Sequence, residues 1–495
     1  MQSLKKLLYF IVFIIMVVVA VTYIWVTQYE SVPPVLKVLN QPTEIGRKIT
    51  LRFTAQDPKK GLRRVRVAVI QDRQAREIPV LPRLGPPPSG EVGEVKYQPQ
   101  GKKTPIEFRA VIDPKALGLE NREAMVVVQA WDRAWSNGFQ GNEARVSFKV
   151  VIDTEPPFLT MGTQIFYLAR GGAGFLLFRT DQDAVRSEAR VDGGRFKAHR
   201  IKPLRLWQVL VACPIAFRPG WPRPRVCPNV TVVAWDRADN PSRTHLVTRH
   251  RAPRWAERGR GEVKVTDDWL ARIAAVAEYR RPGAGPVEVF RRIWSDFDRD
   301  GRKVLEVLAG RSGGVPTWNR VFIVPLPGGL PVAKFGHMRS YILHDRLLLR
   351  RPVYGVDFVS RQHHAPVLAS NAGRVVLMGF FGPYGQTVVL DHGLGLLSLY
   401  GHLSRAAPGL NNGDRVRRGQ IIGRTGRTGV TTREKLHFAM IVGGVFVDPY
   451  EWWDWKWIKL NFADKYPEVG LTEQFRLEAE PKPGEATPPP AGTGR

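Results

Sequence analysis

Cysteine is almost absent. Two in 495 residues exclude a disulfide framework, and with no second Cys or His pair nearby they cannot complete a tetrahedral thiolate metal site. The pair, Cys213 and Cys227, lies close in sequence in a part of the chain expected outside the cytoplasm, so one local disulfide is expected. Acidic residues are also few, 45 against 74 Lys+Arg, and the net charge of +29 draws in anionic polymers or lipid headgroups at long range. The usual nucleic-acid motifs are missing, which argues against DNA or RNA as a partner. A chain 43% hydrophobic and 24% charged is neither disordered nor a polytopic membrane protein, and its length suits about three domains.

Charge is absent altogether from residues 7–26, LLYFIVFIIMVVVAVTYIWV. At about 1.5 Å rise per residue such a run spans roughly the 30 Å hydrocarbon layer, which predicts a transmembrane helix. Lys5 and Lys6 precede it, so residues 1–6 should form a short cytoplasmic tail and the remainder should face outward. The run ends in bulky Tyr23, Ile24 and Trp25 without a small-residue cleavage site, which favours an uncleaved anchor over a signal peptide.

Beyond the anchor the chain reads as mainly β. Segments 33–153 and 155–250 share a plan: Pro33-Pro34 opens one and Pro156-Pro157 the other, and AWDRAWSNG at 130–138 is echoed by AWDRADNPS at 234–242. Short runs alternating with period two, separated by turns over about 100 residues, predict a repeated immunoglobulin-like β-sandwich. The recurring Trp-Asp is expected to be structural, a core Trp beside a turn-forming Asp. From 265 to 310 the period lengthens, predicting a helical linker region: Thr266 caps a helix with Trp269, Leu270 and Ile273 inward, and a second begins near Pro286. Asp296, Asp298, Asp300 and Gly301 imitate a calcium loop, but its twelfth position is Val307 and the acid sits at Glu306, so a solvated acidic loop is expected. Residues 333–460 predict a third β domain closed by an Asp448-Pro449-Tyr450-Glu451 capping box, with Trp452, Trp453 and Trp457 packed on the sheet. The Pro/Gly-rich end, 478–495, should be disordered.

The third domain carries FGHMRSY at 335–341, VYGVDF at 353–358, DHGLGLLSLYGHLS at 391–404 and GRTGRTGVTTREKLHFAMIVGG at 423–444. In this order they resemble the lysostaphin-type (LytM-like) zinc endopeptidases of bacterial cell walls, over about 120 residues. The resemblance implies a zinc held by a His-x-x-x-Asp pair and by the last His of His-x-His, with an open position for the reactive water. Its metal ligands here would be Asp357 and His437, but the first ligand position is Val353, which has no lone pair. The catalytic positions are His402 and Lys435, the latter a Lys where the family has the first His of His-x-His. Since alternate strand residues share a face, the Lys435 ammonium is expected to replace the metal and pair with Asp357. His337, His344, His363 and His364 are the candidates for a substitute ligand. The resemblance then implies a degenerate member: an inner-membrane, single-pass protein with its C-terminal portion periplasmic, binding peptidoglycan or regulating a cell-wall hydrolase, with zinc bound only if active. The alternative is an active zinc-dependent peptidoglycan endopeptidase.

Overall fold

In the computed structural model of the chain the described residues are 2–465, apart from 58, 83–103, 163–164, 182, 203–204, 216–226, 228, 251–259, 277–278, 280–281 and 319–320; the tail expected to be disordered lies outside them. The uncharged run sits in one helix, Gln2–Gln28. Its large apolar side chains from Leu8 to Tyr23 are exposed. The side chains of 1–7, 24 and 27 are outside the described set, and among the described residues no helix is long and apolar enough to cross a membrane.

The chain divides into two units, residues 1–156 with 235–241, and residues 157–234 with 242–495. In the first, a four-stranded and a five-stranded sheet enclose a core that includes Leu51, Phe53, Val67, Phe108 and Val126, all fully buried. Alternation explains it: Ile49–Gln56 buries every second side chain, so one face of the strand is core and the other is wet. The second unit repeats the plan, again with four and five strands in the corresponding order and again with one parallel pair at the end of the larger sheet. The repeated Asp is structural in both copies. Asp132 accepts from the Asn142 backbone N–H and side-chain amide, and Asn142 in turn donates to Glu30 O. Asp236 does the same with Asn240, which donates to Asp153 O. Each copy thus fastens the segment that enters it.

Cys213 and Cys227 are disulfide-bonded. In the second unit the sandwich is no free spacer. Its core, with Phe175 and Trp207, runs without a break into that of the C-terminal β domain, with Tyr400, Phe438 and Trp452. Polar contacts reinforce the junction: Ala173 N donates to Glu451 Oε2 at 2.8 Å, and Asp448 N to Gly171 O at 2.7 Å. The expected capping box is therefore only half formed. Asp448 accepts from Tyr450 N, while the Glu451 carboxylate reaches the sandwich. Trp452, Trp453 and Trp457 are buried.

The helical region is also built into the domain. Strand Arg260–Lys264 runs parallel to Met338–Leu343 in register Arg260↔Met338, Thr266 caps helix Asp267–Ala275 by accepting from Trp269 N, and Trp269 Nε1 donates to Thr431 O at 2.9 Å. The acidic loop folds as a helical turn, Phe297–Gly301, whose Asp298 receives both terminal nitrogens of Arg351 at 2.6 and 2.8 Å. Its carboxylates are engaged by arginines, which a calcium site does not allow.

Ten strands form the main C-terminal sheet. At its heart Val356–Val359 pairs antiparallel with Leu436–Val442, placing Asp357 opposite His437. Leu396–Ala406 pairs on the other side of the Leu436–Val442 strand, placing Gly401 opposite the same histidine.

Candidate functional site

That three-strand register gathers residues 35 to 80 positions apart onto one patch. Asp357 is wholly buried. Its Oδ1 accepts from His437 Nδ1 at 2.7 Å, and its Oδ2 accepts from Lys435 Nζ at 2.7 Å and from Arg339 at 2.7 Å. His402 lies beside this group, its ring centroid 6.1 Å from that of His437, and its Nδ1 donates to Thr428 O at 2.9 Å. His402 adopts φ +61°, the left-handed region that costs a non-glycine residue roughly 1 kcal/mol. The Thr428 bond and the packing around it hold that conformation. Tyr384 stacks on His437 at 4.7 Å.

Glycine makes the approach possible. A Cβ at Gly355 would stand 2.2 Å from Phe438 O and 2.9 Å from His437 Nε2, so the Tyr-Gly of VYGVDF is a steric requirement of the histidine that faces it.

The charge states follow from burial and neighbours. Burial alone would raise the Asp357 carboxyl, but Lys435 and Arg339 outweigh it and hold the group well below the usual carboxylate range. Burial draws Lys435 down to about 8 against the opposing pull of Asp357, which still leaves it mostly charged at pH 7. Burial, with Lys435 next, holds His402 far below the ordinary imidazole value. His437 is lowered too, again by burial first. The buried cluster therefore contains one anion, two cations and two neutral imidazoles.

Each imidazole donates from Nδ1, so each keeps an Nε2 lone pair. On His437 that nitrogen is buried without a hydrogen-bond partner. Both rings line a cavity of about 30 Å³ together with Val353, Tyr384, Trp294 and Arg351, room for about two waters.

A catalytic zinc needs three protein ligands and an open position. Val353 offers no donor, and the Asp357 carboxylate is held by the His437 Nδ1–H, an ammonium and a guanidinium, which leaves the His437 Nε2 lone pair as the one donor of the expected ligand set not already engaged. Of the candidate replacements, His344 faces Asp267, His363 faces Glu434 and His364 contacts Thr425 O; His337 is joined to Val353 through the backbone, and its side chain does not line the cavity shared by His402 and His437. Among the described residues no group of three or more His, Cys, Asp or Glu is placed to hold a metal. The donor set does not fit zinc.

Residues 351–449 match peptidase family M23. This stretch is a peptidase family M23 domain. This chain is 36% identical over 110 residues to the DD-carboxypeptidase/endopeptidase Mpg of Neisseria meningitidis, covering 22% of this chain and 25% of that protein. It is 38% identical over 99 residues to the lipoprotein NlpD/LppB homolog of Pseudomonas aeruginosa, 20% of this chain and 32% of that protein. It is 39% identical over 80 residues to the murein hydrolase activator EnvC of Escherichia coli, 16% of this chain and 19% of that protein. The chain thus spans a third or less of the length of these relatives. Arg339, Tyr384 and Gly355 are site residues that motif spacing alone did not single out. Arg339 and Gly355 lie inside the quoted motifs, whereas nothing in the spacing marks Tyr384.

Proposed function

We propose that this chain is an envelope protein, anchored in the inner membrane through residues 7–26 with its C-terminal portion periplasmic, whose M23 domain binds peptidoglycan or regulates a cell-wall hydrolase instead of cleaving peptide bonds. The observation that carries this reading is the pair of cations on Asp357. A hydrolytic centre of this family's kind places an electrophilic metal where Lys435 and Arg339 here converge, and a fixed ammonium neither binds nor activates water as a metal does. The relatives allow both outcomes, since one is named an endopeptidase and another a hydrolase activator.

Metal analysis of the purified full chain tests it. Zinc is expected well below one equivalent, and Val353→His with Lys435→His should raise it by restoring a ligand and removing a repelling charge. Near-stoichiometric zinc on the parent, lost on Asp357→Ala or His437→Ala, would establish the endopeptidase instead. Retention on isolated cell-wall sacculi is expected to persist in moderate salt, where adhesion by exposed charges is screened, and to fall when His402 is replaced.

A further inference from the structure

The two copies of the sandwich differ where the chain enters them. Asp132 and Asn142 clamp the entering segment in the first copy as Asp236 and Asn240 do in the second, yet nine residues, 133–141, stand between the first pair and three, 237–239, between the second. The clamp itself needs only the short form. The longer loop adds Trp135 and Phe139, where 237–239 hold no aromatic side chain. What enters also differs. Asn142 holds Glu30 O, two residues past the end of helix Gln2–Gln28, whereas Asn240 holds Asp153 O, directly after strand Glu143–Ile152. The aromatic loop thus belongs to the copy that follows the apolar run.

Its backbone is shaped to display the rings. Trp135 and Phe139 are 43% and 65% exposed, and their rings meet edge to face at 5.5 Å. Asn137, Gly138 and Phe139 all have positive φ, at 51°, 66° and 68°, a region that bulky residues rarely adopt. Two bonds hold it: Asn137 Nδ2 donates to Gly141 O at 3.1 Å, and Arg63 donates to Phe139 O. The sandwich core does not account for this conformation, since neither aromatic belongs to that core.

One further bond sets the loop's place. Trp135 N donates to Gln28 O at 3.0 Å, and at the same end of the helix Trp25 and Tyr29, both exposed, stack at 4.9 Å. Gln28 is two residues beyond the uncharged run 7–26, about 3 Å along the axis, and the headgroup layer on each side of the hydrocarbon is roughly 5 to 8 Å thick. With that run in a bilayer, four aromatic rings and the exposed Arg63 guanidinium stand at the level where Trp and Tyr gather and where lipid phosphates lie.

We propose that the loop 135–139 is a membrane foot: Trp135 and Phe139 enter the interfacial layer of the phospholipid bilayer that holds residues 7–26, beside Trp25 and Tyr29, and Arg63 meets a lipid phosphate. The first sandwich then stands on the lipid surface instead of swinging on a tether, because two points of attachment fix an orientation that one leaves free. The proposal rests on the anchored reading above and adds what holds the first sandwich to that membrane.

Quenching of a single-site fluorophore tests it. Both native cysteines are engaged in the disulfide, so a cysteine introduced into the full chain as Gln140→Cys or Arg73→Cys takes the label alone. Gln140 adjoins Phe139, and Arg73 lies just past the far end of strand Leu62–Gln71, whose near end pairs with Asp132. The host is a vesicle of phosphatidylethanolamine and phosphatidylglycerol with nitroxide on the headgroups of some of the lipid. Label at residue 140 should be quenched about threefold or more as strongly as label at residue 73, since interfacial aromatics sit at headgroup level and the 10 residues of that strand carry residue 73 roughly 30 Å away. Trp135→Ala with Phe139→Ala should bring quenching at residue 140 down to the level at residue 73. Both replaced side chains are exposed, so the variant should fold as the parent does, which its melting temperature verifies. Equal quenching at the two residues, or quenching at residue 140 that survives the double substitution, overturns the foot. Flotation with the vesicles separates the two levels: a chain that floats while residue 140 stays unquenched keeps its anchor and loses the foot, whereas a chain that does not float removes the anchored reading itself.

Discussion

The main C-terminal sheet holds two buried polar clusters built from similar parts, and they differ in whether every atom is satisfied. Around His392 the accounting closes. Its Nδ1 donates to Ala372 O at 2.7 Å, its Nε2 accepts from Ser398 Oγ at 2.7 Å, Ser398 Oγ lies 3.0 Å from Tyr400 Oη, and Tyr400 Oη accepts from Ser370 N at 2.7 Å. Around His437 it does not close: one Nε2 is an orphan, one neighbouring backbone is in the left-handed region, and the charges sum to an excess of one cation. Complete networks rigidify a core, whereas incomplete ones are expected where a ligand or a reaction once or still supplies the missing partner. The contrast sets His392, whose ring nitrogens are both partnered, apart from His437, the candidate site histidine, whose Nε2 is not.

The largest test of this contrast is Asp357→Ala. It removes the anion from between the buried Lys435 and the half-buried Arg339, and breaking such an arrangement costs about 3 to 5 kcal/mol. Denaturant unfolding of the full chain, followed through the tryptophans of the M23 domain, should show that loss. A variant as stable as the parent would mean that water already screens the cluster.

Acid titration comes next. Burial pushes His392 down to about 4, against about 6.5 in an unfolded chain. Between these values the unfolded state binds the extra proton, so stability should fall as pH drops from about 6.5 to about 4, this one group contributing about 3 kcal/mol. His402 and His437 act in the same direction. Asp357, with its depressed carboxyl, adds its loss only at lower pH. His392→Gln should make the decline shallower by roughly the stated amount, and an unchanged slope would show that the network does not exclude protons.

The smallest effect sharpens the comparison most. Lys435→Ala leaves Arg339 and Asp357 as a balanced pair, so its cost should be only about 1 to 2 kcal/mol, less than that of Asp357→Ala, since the surviving charges still compensate each other. Losses of equal size in the two variants would mean that Arg339 does not share the carboxylate.

Much of the fold was legible because it rests on local rules. Period-two runs give strands, Thr266 and Asp448 give caps, and the repeated Trp-Asp gives two copies of one plan; each depends on residues a few positions apart. The site was legible only in part. The motifs around Val353, Asp357, His402, Lys435 and His437 mark the positions, and the Lys435 side chain does reach Asp357. Arg339 escaped because its partnership is decided 18 residues away, through a hairpin that no periodicity sets in register.

The amino-acid sequence by itself determined that the chain is mainly β, that a membrane-length apolar run precedes it, and that Val353 and Lys435 stand where an intact metal centre needs donors. These are statements about side-chain chemistry and short-range spacing. Tertiary structure alone decided that two cations share one carboxylate, that His437 keeps an unpartnered nitrogen, and that the strand at 260–264 and the helix after it are built into the C-terminal domain. Charge balance and hydrogen-bond satisfaction depend on which distant groups share a low-dielectric space, and only the packing of the sheets fixes that.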